Sequence, residues 1–213
     1  MLTRFLKPCF KGSDRGGEML YKLLRCIGIF VFYLLFFPKI IGKKYTKIKG
    51  KAIIISNHIS MWDPIFIAVA FGRQIFWMGK IELFKSFFAR LFFKLVKAFP
   101  VRRGEGDLPA IRHAFKLLRD GKLFGIFPEG KRIKSGELGK FEPGTSMIAL
   151  KNDAPIIPLY IKGKYKFFRR MKLIVGEPIR LADYVGSKTD PATVEAASRF
   201  LENKLNDLKN TTF

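Results

Sequence analysis

From Tyr45 onward, short apolar runs rich in β-branched residues alternate with longer stretches of helical periodicity, and this alternation limits the possible folds more than any other feature of the chain. Neighbouring parallel strands need a crossover of a dozen or more residues, which a helix supplies. The pattern therefore predicts an α/β domain, a mixed and largely parallel sheet flanked by helices. Strands are expected near 45–49 and at Ala52–Ser56, Ile75–Met78, Phe99–Val101, Leu123–Phe127, Ile156–Ile161 and Leu173–Val175. Helices are expected near 63–71, 81–97, 107–119, 144–151 and 191–208. In the second of these, Glu82, Ser86, Arg90, Lys94 and Lys97 form one narrow polar stripe, and the rest is apolar, including Phe84, Phe87, Phe88, Phe92 and Phe93. Such a helix is either packed on most of its girth or lines an acyl groove or lipid. No repeat or low-complexity linker interrupts residues 45–213, which read as one domain behind an N-terminal segment, 1–44.

That N-terminal segment is expected to associate with a membrane as a helix. The run from Leu20 to Phe37 is apolar except for Tyr21, Lys22, Arg25 and Tyr33. Its uninterrupted part, Cys26 to Phe37, would measure about 18 Å as a helix against a hydrocarbon core of roughly 30 Å. A helix lying in the interface fits this length better than a span, for which Lys22 and Arg25 would have to snorkel. The run ends in Pro38 and Lys39 rather than a small-residue cleavage site, so it is a poor signal peptide. Forty Lys and Arg against seventeen Asp and Glu leave a net charge of +23, yet 48% of residues are hydrophobic and 23 are Phe. A disordered basic tail would be poor in aromatics, so this is a folded body facing something anionic. Nucleic acid would leave the apolar N-terminus without a use. An anionic membrane surface, at its cytoplasmic face, is the expected partner.

Chemistry-bearing residues gather where apolar runs end. His58 follows the strand Ala52–Ser56, and ends of strands in open α/β sheets are where ligands bind. Asp63 precedes Pro64 and could cap a helix, or turn back and orient the imidazole of His58; the two roles are compatible. A second concentration, Phe127-Pro128-Glu129-Gly130-Lys131-Arg132, follows the run from Leu123. It reads either as a solvated turn or as a loop whose guanidinium clamps a phosphate. Arg102 and Arg103 add two guanidinium groups after another short strand. His113 sits in a helical pattern as an ordinary surface histidine. Cys9 and Cys26 make no metal-site spacing with the two histidines, so no metal and no other cofactor is expected. No Gly-x-Ser-x-Gly elbow and no phosphate-binding Gly-x-x-x-x-Gly-Lys loop occurs.

Taken in order, these loops resemble the glycerolipid acyltransferase family, most closely its bacterial members that acylate 1-acylglycerol 3-phosphate. Asn57, His58, Ser60 and Asp63 match the first motif; Pro100-Val101-Arg102-Arg103-Gly104 resembles the second, with Arg103 as its arginine. Phe127-Pro128-Glu129-Gly130 and Arg132 match the third, with Lys131 where Thr or Ser is commoner, and Ile157-Pro158-Leu159 is similar to the fourth. The resemblance implies that His58 is a general base oriented by Asp63, and that the acceptor oxygen attacks an acyl thioester directly. It further implies that Arg103, Glu129, Gly130, Lys131, Arg132 and Pro158 bind substrate. The donor would be acyl-CoA or acyl-acyl-carrier protein, the acceptor lysophosphatidic acid and the product phosphatidic acid. Glycerol 3-phosphate or another lysophospholipid is the alternative acceptor. Six bases without an acid between Lys162 and Lys172 could face lipid headgroups, an acidic carrier protein or water.

Overall fold

The computed structural model describes residues 17–211 apart from 88, 91, 92, 94, 95, 103–106, 134 and 136. Helix α1 (Gly17–Phe36) leads into β1 (Lys39–Ile41), followed by β2 (Ala52–Ser56), α2 (Asp63–Ala70), β3 (Ile75–Lys80) and β4 (Ala98–Val101). Then come α3 (Leu108–Arg119), β5 (Leu123–Ile126), α4 (Pro143–Lys151), β6 (Ile156–Lys162), β7 (Lys172–Val175), the short α5 (Ala182–Val185) and α6 (Pro191–Asn210). Seven strands form one sheet in the order β1-β7-β6-β2-β5-β3-β4. All neighbouring pairs are parallel except β6 with β7, so β1 and β7 run against the other five. The expectation of a mixed, largely parallel sheet holds.

The central strand β2 explains the layering. Ile53, Ile54 and Ile55 are all fully buried, which requires cover on both faces, as its unbroken β-branched run implies. Because side chains alternate, Ala52 and Ile54 join a core with Phe32 and Phe36 of α1 and Phe66 of α2. Ile53 and Ile55 join the opposite core with Ala114 and Leu118 of α3, Ile148 of α4 and Leu201 of α6. Helix α1 is apolar on two faces. Phe32 and Phe36 are buried against the sheet, while Ile27, Phe30, Val31 and Leu34 recur at three- and four-residue steps on the exposed side. Among the described residues, no helix is long and apolar enough to cross a membrane.

Some elements depart from expectation. Residues 45–49 do not form a strand: Lys43–Lys47 is a 3₁₀ turn, entered through Gly42 at φ 74° and closed by the Thr46 hydroxyl donating to the Lys43 carbonyl. The strand lies earlier, at β1, where Lys39 pairs with Lys172 across to β7. It precedes the 44/45 boundary, so the sheet draws on both segments. Of the helix expected at 81–97, Ile81–Phe84 is a 3₁₀ turn, while Phe87, Ala89, Arg90 and Phe93 are helical, the Arg90 N–H donating to the Ser86 carbonyl at 3.0 Å. Phe88, Phe92 and Lys94 lie outside the described residues.

Candidate active site

The strands β2, β5 and β6 are mutually parallel neighbours, β2 lying between the other two, so their C-terminal ends share one edge of the sheet. Three loops leave that edge: 57–62, 127–142 and 163–171. Asn57 pins the first. Its buried side-chain amide donates to the Ile161 carbonyl at 3.1 Å, and its Oδ1 accepts from the Ile161 N–H at 2.7 Å. The side chain thus imitates one more step of the β2–β6 ladder while the backbone turns away, and His58 begins the loop in a fixed place.

His58 Nδ1 lies 2.7 Å from Asp63 Oδ2. The same oxygen accepts from the backbone N–H of Ile59 at 2.7 Å and of Ser60 at 2.8 Å. Oδ1 accepts from the Tyr165 hydroxyl at 2.8 Å. Asp63 is fully buried, and an uncompensated carboxylate there would be costly, so these four donors are what make the site possible. They also fix the tautomer: a carboxylate at Nδ1 holds the proton there and leaves Nε2 as the acceptor. Asp63 does not act as the cap of α2, whose N-cap is Trp62 without a side-chain cap bond. It opens the helix and its carboxylate reaches back over the loop, where the positive end of the helix also favours its charge.

The His58 ring stacks on Phe127 at 4.0 Å between centroids, and Phe127 stacks on Trp77 at 5.3 Å. Gly125 permits this column, because a Cβ there would stand 2.6 Å from the Trp77 ring. Glu129 is buried, and its carboxylate accepts from the backbone N–H of His58 and of Gly139, each at 3.3 Å. Burial pushes its carboxyl up to about 7, against those two donors, with the Asp63 charge adding to the rise and Lys131 opposing it. Gly130 takes φ 64° to close the turn, its N–H donating to the Phe127 carbonyl at 3.1 Å. The Ile133 N–H donates to the His58 carbonyl at 2.8 Å and ties the two loops again.

The structure therefore brings His58, Asp63, Glu129 and Gly130 together. Glu129, expected as a substrate contact, is turned inward and braces the loops. Lys131 and Arg132 are exposed on the same loop. Pro158 lies inside the sheet, buried and in register with Ile55. Arg103 lies outside the described residues. His113 is exposed on α3 with its ring edge against Phe99, beside an open depression of about 600 Å³ that contains none of His58, Asp63 and Glu129. Tyr165 and the ladder-extending role of Asn57 had no signal in the sequence beyond their residue types.

The acyltransferase family model matches residues 38–162. The 1-acyl-sn-glycerol-3-phosphate acyltransferase of Bacillus subtilis is 32% identical over 182 residues, covering 80% of this chain and 90% of that one. The protein of the same name from Borreliella burgdorferi is 29% identical over 129 residues, 60% of this chain and 52% of its own. Among solved structures, the 1-acyl-sn-glycerophosphate acyltransferase of Thermotoga maritima superposes with a TM-score of 0.67 at 22% identity, over 99% of this chain and 89% of that one. This last likeness is one of fold.

Proposed function

This chain belongs to the acyltransferase family, and on that premise we propose that it moves an acyl group from a thioester to the sn-2 hydroxyl of 1-acylglycerol 3-phosphate, giving phosphatidic acid. The observation that carries the reading is the His58–Asp63 pair, 2.7 Å apart at the edge of the sheet where three loops converge. His58 Nε2 takes the proton of the acceptor hydroxyl as its oxygen attacks the thioester carbonyl carbon. Asp63 stabilises the imidazolium, the C–S bond breaks, and the proton passes to the leaving thiolate. A positioned base of this kind contributes roughly a hundred- to ten-thousand-fold. The remaining rate comes from holding the two substrates in line.

Glu129 holds the His58 loop to its own loop at Gly139 and braces the site rather than supplying a cation to an anionic acceptor. Arg132, Lys131 and Arg103 then hold the acceptor phosphate, Arg132 through its two-pronged guanidinium. The exposed face of α1 supports a lipid-facing role, together with Trp62, Phe167 and Phe168; the Phe36 ring lies 5.8 Å from Trp62 and 5.9 Å from Phe167, centroid to centroid. The six bases from Lys162 to Lys172, on and beside the loop that carries Phe167 and Phe168, suit the anionic cytoplasmic face of a membrane.

The test is a purified-enzyme assay that crosses acyl-CoA and acyl-carrier-protein donors with lysophosphatidic acid, glycerol 3-phosphate and neutral monoacylglycerol. Transfer to lysophosphatidic acid should dominate and should vanish in His58→Ala. Preferred acylation of glycerol 3-phosphate would replace the acceptor assignment, and full activity in His58→Ala would remove the base.

A further inference from the structure

Of the four donors that hold Asp63, three come from its own loop: the imidazole of His58 and the backbone of Ile59 and Ser60. The fourth, Tyr165, comes from the loop after β6. The three local donors all meet Oδ2, so they leave the carboxylate free to pivot about that oxygen. The Tyr165 hydroxyl, 2.8 Å from Oδ1, stops the pivot. The phenol is itself held. Its ring meets Phe36 edge-on at 5.4 Å and 89°, Phe32 at 6.2 Å and 78°, and Phe66 at 6.5 Å and 82°. The loop that carries it is tied to α1 by the Phe168 N–H on the Leu35 carbonyl and the Met171 N–H on the Phe36 carbonyl. Burial and the adjacent Asp63 charge hold the phenol well above its ordinary range, so it remains a donor wherever the enzyme works.

We infer that Tyr165 is a positioning residue for acyl transfer: its hydroxyl fixes the Asp63 carboxylate, and through it the His58 ring, and its own ring makes that geometry depend on how α1 is seated. The inference rests on the reading of His58 as the base. Without the hydroxyl, Oδ1 is left buried with no donor, and the carboxylate draws harder on the Nδ1 proton. The imidazolium is then favoured in the resting enzyme, and His58 is available as a base only at higher pH. The charged and titratable groups facing the pair are Glu129 from the loop after β5, with Lys131 beyond it, and Tyr165 from the loop after β6. Substituting Tyr165 alters only the last.

The experiment compares full-length wild type, Tyr165→Phe, His58→Ala and a protein with difluorotyrosine at position 165, each in lysophosphatidic acid micelles with a saturating acyl thioester. Tyr165→Phe keeps the ring in its aromatic setting. It should lose about 10- to 100-fold in kcat, the range expected for one hydrogen bond to a charged group, with KM for lysophosphatidic acid nearly unchanged. The acid limb of its kcat/KM profile should move to higher pH at an unchanged melting temperature. The fluorinated phenol, a stronger donor of the same shape, should move the limb the other way and covers the case in which Tyr165→Phe folds poorly. A wild-type rate and profile in Tyr165→Phe would overturn the inference, as would a loss confined to KM or a limb that neither variant moves. Activity surviving in His58→Ala would overturn the base assignment itself. A dead His58→Ala beside a wild-type Tyr165→Phe would overturn this inference alone.

Discussion

Replacing Asp63 with asparagine separates the charge of the carboxylate from its role in the fold. With the amide oxygen in the place of Oδ2, His58, Ile59 and Ser60 keep an acceptor, and the amide NH₂ faces the Tyr165 oxygen, which can accept in turn. Each bond passes from charge-assisted to neutral, a loss of about 1 kcal/mol apiece, partly offset because a buried charge is no longer desolvated. The net change in stability should be about 1–2 kcal/mol. Asp63→Ala would instead strand four half-buried donors at up to about 1–3 kcal/mol each, a large share of the whole stability of a domain, so its inactivity would be uninformative. The loss specific to the transition state is the charged partner of the imidazolium, which forms 2.7 Å away. One charge-assisted bond is worth about 1.5–3 kcal/mol, or roughly one to two decades in kcat. The assay is thiol release at saturating substrates, with a thermal melt by circular dichroism on the same preparation. A folded Asp63→Asn enzyme turning over within about three-fold of wild type would refute the reasoning, since about 0.6 kcal/mol is too little for a charged partner.

The Glu129 carboxyl titrates at about 7 in the fold against an ordinary 4.5, so between those values the folded state keeps a proton that the unfolded chain has released. Stability should therefore fall as pH rises through that window, by at most about 3 kcal/mol, and Glu129→Gln should flatten the slope. Urea unfolding of both proteins at about pH 5 and pH 8 measures this, and parallel slopes would exclude it. Arg132→Lys should lower kcat/KM for lysophosphatidic acid by about one to two decades and spare a neutral monoacylglycerol, because an ammonium cannot reproduce the guanidinium fork. Equal losses for the two acceptors would withdraw the phosphate contact. Gly125→Ala should push Trp77 off the strand and disturb its stack on Phe127 and His58, at a cost of about 1–3 kcal/mol. A melting temperature and kcat equal to wild type would show that the column accommodates the methyl group.

The strands at the centre of the sheet are legible because burial on both faces leaves a simple mark. Ile53-Ile54-Ile55 and the run from Ile156 to Ile161 are apolar without interruption. Strand β1 is not legible: its three residues follow Pro38 directly after a long apolar helix, and only pairing with β7 marks them as a strand. The lysine-rich segment 45–49 alternates like a strand, but Gly42 in the left-handed region turns the chain before it. At the site, His58, Asp63 and the loop around Glu129 were readable as short motifs, each complete within a few residues. The inward turn of Glu129 was not, because its partners include an N–H in a different loop, that of His58, 71 positions away. Tyr165 stood among the bases of its loop, 102 positions from the carboxylate it meets, and nothing local distinguishes it from an ordinary surface tyrosine.

The separation of β1 from β7 also bears on how the chain is made. Lys39 waits for Lys172, and Phe32 and Phe36 wait for Tyr165, across roughly 130 residues in each case. At roughly 5–20 residues per second of synthesis, that interval lasts on the order of 7–27 s. During it β1 has no neighbour, and the inner face of α1 can meet Phe66 of α2 but neither Tyr165 nor Met171. The pieces of the catalytic edge arrive in the order β2, β5, β6, and the carboxylate of Asp63 receives its last donor only after Tyr165 has emerged. A nascent chain arrested short of that residue carries His58, Asp63 and Glu129 yet has no means of closing the site around them.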